Sequence, residues 1–146
     1  LDMAHQLEVL ELLQTLNRDE GKTIALVIHE LNLAARFSDW MIALKSGAIR
    51  GAGQVSVFDF RESDTPCYDC AFPEDEEKDL KASTLGVLTS LTGIMGALEA
   101  SEAIKLATGM GKPLKNQVML VDVLNNDFQI FNLKPNPECP VCHGGK

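Results

Sequence analysis

The chain has 146 residues, 45% hydrophobic and 23% charged, enough for one compact domain with a core or for two smaller pieces. Its formal net charge of -8, with 13 basic residues scattered among 21 acidic ones, argues against a nucleic-acid binder, because neutralising phosphates takes clustered Lys and Arg. The longest uncharged apolar run, Leu85 to Leu98, is too short to span a bilayer, and no signal-peptide pattern is present, so we expect no transmembrane segment and a cytoplasmic location.

In chain order, "MAHQLEVLELLQTLNRDEG" places Leu7, Leu10 and Leu13, with Val9 and Leu16, at helical spacing and stops at Gly21. The opening at Leu1 instead of methionine leads us to expect a segment upstream that is missing or was removed. "KTIALVIH" is predicted as a buried strand, "ELNLAARFSD" as a short amphipathic helix and "WMIALKSG" as a second apolar strand. This alternation is typical of α/β proteins with parallel strands. "QVSVFDF" is predicted as a further strand, and the acidic "PEDEEKD" as a solvated loop or helix lead-in. In "STLGVLTSLTGIMGALEASEAIKLATG", a long helix is expected. Gly86, Gly93 and Gly96 keep one face small enough for another backbone to approach, and Gly109 ends the run. "NQVMLVDVLNNDFQIFNLK" is predicted as a hairpin turning at Asn125-Asn126, which tolerate positive φ.

The four cysteines carry the most specific chemistry. They form two CxxC knuckles, Cys67-Cys70 and Cys139-Cys142, a pattern that without a secretory signal reads as a tetrahedral zinc site and not as disulfides. Pro66, Pro140 and Gly144 beside them suit exposed turns. With sulfur in all four positions no place remains for water, so the metal is expected to be structural. The alternatives are two unconnected reduced pairs or a thioredoxin-like redox motif. A redox CxxC usually opens a helix beside a βαβ unit, whereas Cys67 follows a strand and a polar turn and Cys139 sits in a proline-rich tail. His143 is a weaker candidate ligand, lying just outside its knuckle.

Three partial motifs fail on inspection. "GKT" at Gly21 to Thr23 lacks the earlier glycine of a phosphate loop, since Leu16 stands there, and leads into a predicted strand. "HELNL" has Leu33 where a zinc protease needs its second histidine. Gly47, Gly51 and Gly53 precede a strand instead of following one, and read as turn residues.

Two resemblances divide the chain. Residues 1–53, from "LDMAHQ" to "IRGAG", resemble the last part of an ABC-transporter ATP-binding subunit of the iron-siderophore type. That likeness implies Leu1-Asp2 as a D-loop and His29 as the switch that senses the γ-phosphate. The remaining ATPase parts would lie before residue 1, which leaves His29 a residue at a strand end and not a working switch. From about Ser46 onward, "GQVSVFDF", "PCYDCAFPE", "GIMGALEASEAIKLATGMGKPL" and "NPECPVC" are similar to the carboxyl-terminal part of the ubiquitin-activating-like adenylyltransferases, the ThiF, MoeB and HesA relatives. Ser46 to Arg50 fits both patterns, so "WMIAL" is expected beside "VSVFDF" in one sheet if the chain folds as a unit.

The second resemblance implies a partial Rossmann-like sheet with flanking helices, a carboxyl-terminal hairpin and a structural zinc held by Cys67, Cys70, Cys139 and Cys142. It also implies ATP and magnesium, a ubiquitin-fold sulfur-carrier protein as partner, and a homodimer. The chain departs from it at Ala82, where many relatives have an acyl-accepting cysteine, and at Ser90, where a proline is usual. The family's phosphate loop, its phosphate-binding Arg and Lys and its magnesium aspartate are expected in a missing amino-terminal half. The expected organisation is therefore an incomplete ATPase-like segment at 1–45 followed by a zinc-bearing adenylyltransferase region at 46–146. Three roles fit: an adenylyltransferase remnant, a zinc-stabilised docking or dimerisation module, and an ATPase tail with an accessory domain.

Overall fold

The computed structural model describes residues 3–47, 51–62, 65–72 and 88–142. Leu1–Asp39 forms one compact unit and Trp40–Lys146 a second.

In the first unit, α1 (Met3–Glu20) ends at Gly21, whose φ of 62° suits a residue without a Cβ. A second helix, α2 (Leu31–Phe37), packs against α1, with Leu10 and Ala34 buried. The strand expected over 22–29 does not form, and Val27 is 86% exposed. A strand exists only where a neighbour completes its ladder, and the described residues of this unit contain no other strand. The β-branched composition of "KTIALVIH" is therefore not expressed as extended pairing.

The second unit is built on a four-stranded sheet in the order β1-β2-β3-β4: β1 (Trp40–Gly47), β2 (Ala52–Asp59), β3 (Gln117–Asp122) and β4 (Asp127–Asn132). Every neighbouring pair is antiparallel, which corrects the parallel arrangement expected from the helix–strand alternation. The reason lies in the connections, because a parallel pair needs a crossover of a dozen residues or more, whereas β1 and β2 are separated only by residues 48–51. Gly51 turns there with φ 60°. The expected adjacency of "WMIAL" and "VSVFDF" is found, with Trp40 opposite Asp59, Ile42 opposite Val57 and Leu44 opposite Val55. The hairpin of β3 and β4 turns through Val123 to Asn126, with Asn126 at φ 53°. Among the described residues, two helices accompany the sheet, α3 (Tyr68–Ala71) and α4 (Thr89–Thr108), the latter stopped by left-handed Gly109.

The inner strand β2 is buried on both faces, although polar Gln54, Ser56 and Asp59 interrupt its apolar residues. On one face Val55 and Val57 pack with Leu91 and Met95 of α4, Leu114 and Val121. On the other, Phe58 meets Ala43 and Phe72, with Tyr68 alongside. Ser56, fully buried, donates its hydroxyl to the carbonyl of Gln117 at 2.7 Å. Within the described chain, the close approach to α4 is made at a glycine of the sheet. A Cβ at Gly93 or Gly96 would meet nothing within 4 Å, because α4 presents Leu91, Met95 and Glu102 to the protein and those glycines lie off that face. It is Gly53 of β2 that lets the helix in, since a Cβ there would stand 2.8 Å from the Met95 sulfur.

Candidate metal centre

An aromatic cluster of buried Phe58 and Phe72 with half-buried Tyr68 anchors the first knuckle. Tyr68 and Phe72 bracket the single turn of α3, their ring centroids 5.0 Å apart, and Cys67 is the residue that caps it. The N–H groups of Cys70 and Ala71 return to the Cys67 carbonyl, so the loop turns back on itself and both sulfurs face the same way. The second knuckle follows β4 in a tail without helix or strand, where the Cys139 N–H bonds the carbonyl of Asn136 at 3.0 Å.

These two turns bring the four predicted cysteines together. The Cys67 sulfur lies 3.7 Å from that of Cys70 and 3.6 Å from that of Cys139, and the Cys70 sulfur lies 3.5 Å from that of Cys142. All four lie within 4.8 Å of one another, as thiols and not disulfides. Tetrahedral zinc–thiolate bonds of about 2.3 Å put ligand sulfurs about 3.8 Å apart, so both the donor set and its spacing fit such an ion. A redox dithiol needs two sulfurs, and the presence of four from two distant segments argues for coordination. Cys139 is buried and Cys142 exposed, which closes one side of the cluster and opens the other to solvent.

The electrostatics also favour a cation. Backbone N–H groups of Cys142 and Val141 help to pull the Cys139 thiol down from 9.0 to about 7. Burial pushes the Cys67 thiol up, and burial together with the neighbouring sulfurs pushes Cys142 up to about 12. One thiolate is thus stabilised while its neighbours resist adding further negative charge; a positive ion among them is what allows all four to ionise. The first knuckle is also reached from the tail by a backbone group: the Asn136 N–H donates to the Cys70 sulfur at 3.4 Å. Only the Asn-Pro dipeptide ahead of Cys139 hinted at this residue in the sequence.

A second polar cluster sits at the end of β2. Asp59, 4% exposed, accepts two bonds of 2.9 Å from the Arg61 guanidinium and pairs with the Lys115 ammonium at 2.6 Å. Those cations hold its carboxyl well below the usual carboxylate range. Both cations also lie over the Trp40 ring, at 3.8 and 4.4 Å from its centroid. Lys115 also pairs with the Glu62 carboxylate at 3.0 Å, which balances the second cation, and the cluster pins the start of β1 to the end of β2. Sequence reading missed it because its members are spread from 40 to 115.

His29 is exposed in the irregular segment between α1 and α2, where it lines an apolar groove with Val9, Leu26 and Leu33. Ser90 is exposed in the first turn of α4. Leu1, Asp2, Gly86, Ala82, His143, Gly144 and "PEDEEKD" lie outside the described residues. No helix among the described residues is long and apolar enough to cross a membrane.

Comparison with known proteins gives two likenesses. A family model described as the ThiF family matches residues 28–141. The chain is 35% identical over 116 residues to the molybdopterin-synthase adenylyltransferase of Escherichia coli, covering 80% of this chain and 46% of that protein. It is 36% identical over 118 residues to the SAMP-activating enzyme E1 of Haloferax volcanii, covering 79% and 42%. A shorter likeness, 63% over 49 residues, links it to the iron(3+)-hydroxamate import ATP-binding protein FhuC of Bacillus subtilis, covering 34% of this chain and 18% of that one. Among solved structures, E. coli MccB shares the fold with a TM-score of 0.56 at 16% identity, covering 82% of this chain and 38% of that one. The chain spans less than half the length of these relatives.

Proposed function

The chain belongs to the ThiF family, and on that premise we propose that it is the zinc-bearing part of an adenylyltransferase for ubiquitin-fold sulfur carriers. In this reading Cys67, Cys70, Cys139 and Cys142 hold one structural zinc, residues 46–146 dock the carrier or a second copy of the chain, and the protein works in the cytoplasm. The observation that carries it is the convergence of four sulfurs from two segments, three of them within the family-matched residues 28–141 and Cys142 directly after. Relatives named as molybdopterin-synthase and sulfur carrier protein adenylyltransferases, and as a SAMP-activating enzyme, support the carrier as partner class. ATP and magnesium belong to the same reading through the family. The 146 residues contain no complete glycine-rich phosphate loop, so this chain alone is expected neither to hydrolyse ATP nor to form an acyl-adenylate.

Two measurements test the proposal. Purified chain mixed with a carrier ending in Gly-Gly should form a complex, and absence of binding to any such carrier would count against the docking role. Radiolabelled ATP–pyrophosphate exchange should stay at the level of a Cys67→Ser, Cys70→Ser control; exchange above it would contradict the expected inactivity.

The match to FhuC favours a second reading for residues 1–45 alone, as an incomplete ABC-transporter ATP-binding segment in which His29 would be the γ-phosphate switch. Co-purification with a permease, not a carrier, would support it.

A further inference from the structure

The tail that carries the second knuckle reads Pro135-Asn136-Pro137-Glu138-Cys139-Pro140, and three of those six residues have no backbone N–H. The N–H groups that remain belong to Asn136, Glu138 and Cys139, and each is used in a bond that begins or ends on Asn136. Its own N–H donates to the Cys70 sulfur at 3.4 Å. Its side-chain Oδ1 accepts the Glu138 N–H at 3.0 Å. Its carbonyl accepts the Cys139 N–H at 3.0 Å. No regular secondary structure holds this segment, so these three bonds, together with the Val141 and Cys142 N–H groups on the Cys139 sulfur, aim Cys139 at the sulfurs of the first knuckle.

We propose that Asn136 is the positioning residue of the metal centre, setting the geometry of the second knuckle and supporting the charge on Cys70. The inference rests on the metal reading given above and goes beyond it by assigning a role to a residue that supplies no ligand atom. A divalent ion held by four thiolates leaves a net charge of about -2, and N–H groups donated to the sulfurs disperse it. The side-chain oxygen does the second part of the work: by capping the Glu138 N–H it fixes the turn that precedes Cys139. The backbone N–H and carbonyl of residue 136 survive any substitution, so the side-chain oxygen is the part that mutation can isolate.

The test compares the full chain with Asn136→Ala and Asn136→Asp, using zinc competition against a chromophoric chelator and the absorption spectrum of the cobalt(II) form. Asn136→Ala should weaken zinc binding by about 10–100-fold and change the cobalt bands, because the ligands no longer hold one tetrahedral arrangement. Asn136→Asp keeps an acceptor for the Glu138 N–H and should restore both affinity and spectrum. The spectrum reads the geometry around each bound ion, so it reports even on a variant that is partly unfolded. Equal affinities and identical spectra for the alanine variant and the unsubstituted chain would overturn the proposal, as would an aspartate variant no better than alanine. An unsubstituted chain that takes up neither zinc nor cobalt would overturn the metal reading and this inference together. An unsubstituted chain that binds zinc with alanine having no effect would overturn only this one.

Discussion

The sulfur of Cys67 lies 3.6 Å from that of Cys139, although 72 residues separate them in the chain. An ion bridging the two would staple the turn after β2 to the tail after β4, closing most of the second unit into a loop. A structural zinc contributes on the order of 10 kcal/mol to folding. We therefore expect Cys67→Ser to lose the metal, and a strong chelator to lower the melting temperature of the unsubstituted chain sharply. A chelator that leaves the thermal transition unmoved would show that the sulfurs meet without a metal.

Glu102 links α4 to the sheet. Its carboxylate, 3% exposed, accepts the Leu114 N–H at 2.8 Å, and the Leu114 carbonyl in turn accepts the Val57 N–H of β2. Glu102→Ala orphans a buried donor and should cost about 1–3 kcal/mol in urea unfolding, while Glu102→Gln keeps an acceptor and should cost less. Equal losses for the two variants would place the effect in the charge and its Lys105 partner instead.

Asp59 should shape the acid limb of stability. Its folded pKa is depressed by Arg61 and Lys115, so its contribution is present above its ordinary value of 3.8 and is lost as pH falls from there toward the folded value. Asn cannot ionise, so Asp59→Asn should lower stability by about 1–3 kcal/mol at pH 7 and flatten the loss between neutral pH and strong acid. Chemical unfolding at a series of pH values reads both effects, and parallel curves for the two proteins would contradict the assignment.

Gly53→Ala pushes a methyl group into Met95, a side chain 1% exposed. Overpacking of this kind costs about 1–3 kcal/mol, and shortening Met95 in the same chain should recover part of it. Double-variant unfolding checks this: strict additivity would mean that the helix is not seated on Gly53.

How much of this was legible in the sequence depends on how local each signal was. The ends of α1 and α4 could be read because Gly21 and Gly109 stop their helices within one turn. The hairpin at Asn125-Asn126 and the CxxC pairs were readable for the same reason, since turn chemistry and ligand spacing are written in adjacent residues. "KTIALVIH" misled because strand propensity acts only when a neighbouring strand is present, and no residue within the segment reports that. Gly93 and Gly96 leave a small face that the described residues do not cover, and composition does not say which face of a helix its own chain buries. Asp59, Lys115 and Trp40 meet only through the sheet register, and Asn136 acts through its backbone as much as its side chain, so neither leaves a motif.

The most direct test of the account is the metal content of the chain purified without added metal, read together with the number of thiols that react before and after a zinc chelator. We predict about one zinc per chain and four thiols that become reactive only once the metal is removed. A metal-free chain with all four thiols reactive from the start, or zinc retained when both Cys67 and Cys139 are replaced by serine, would contradict it.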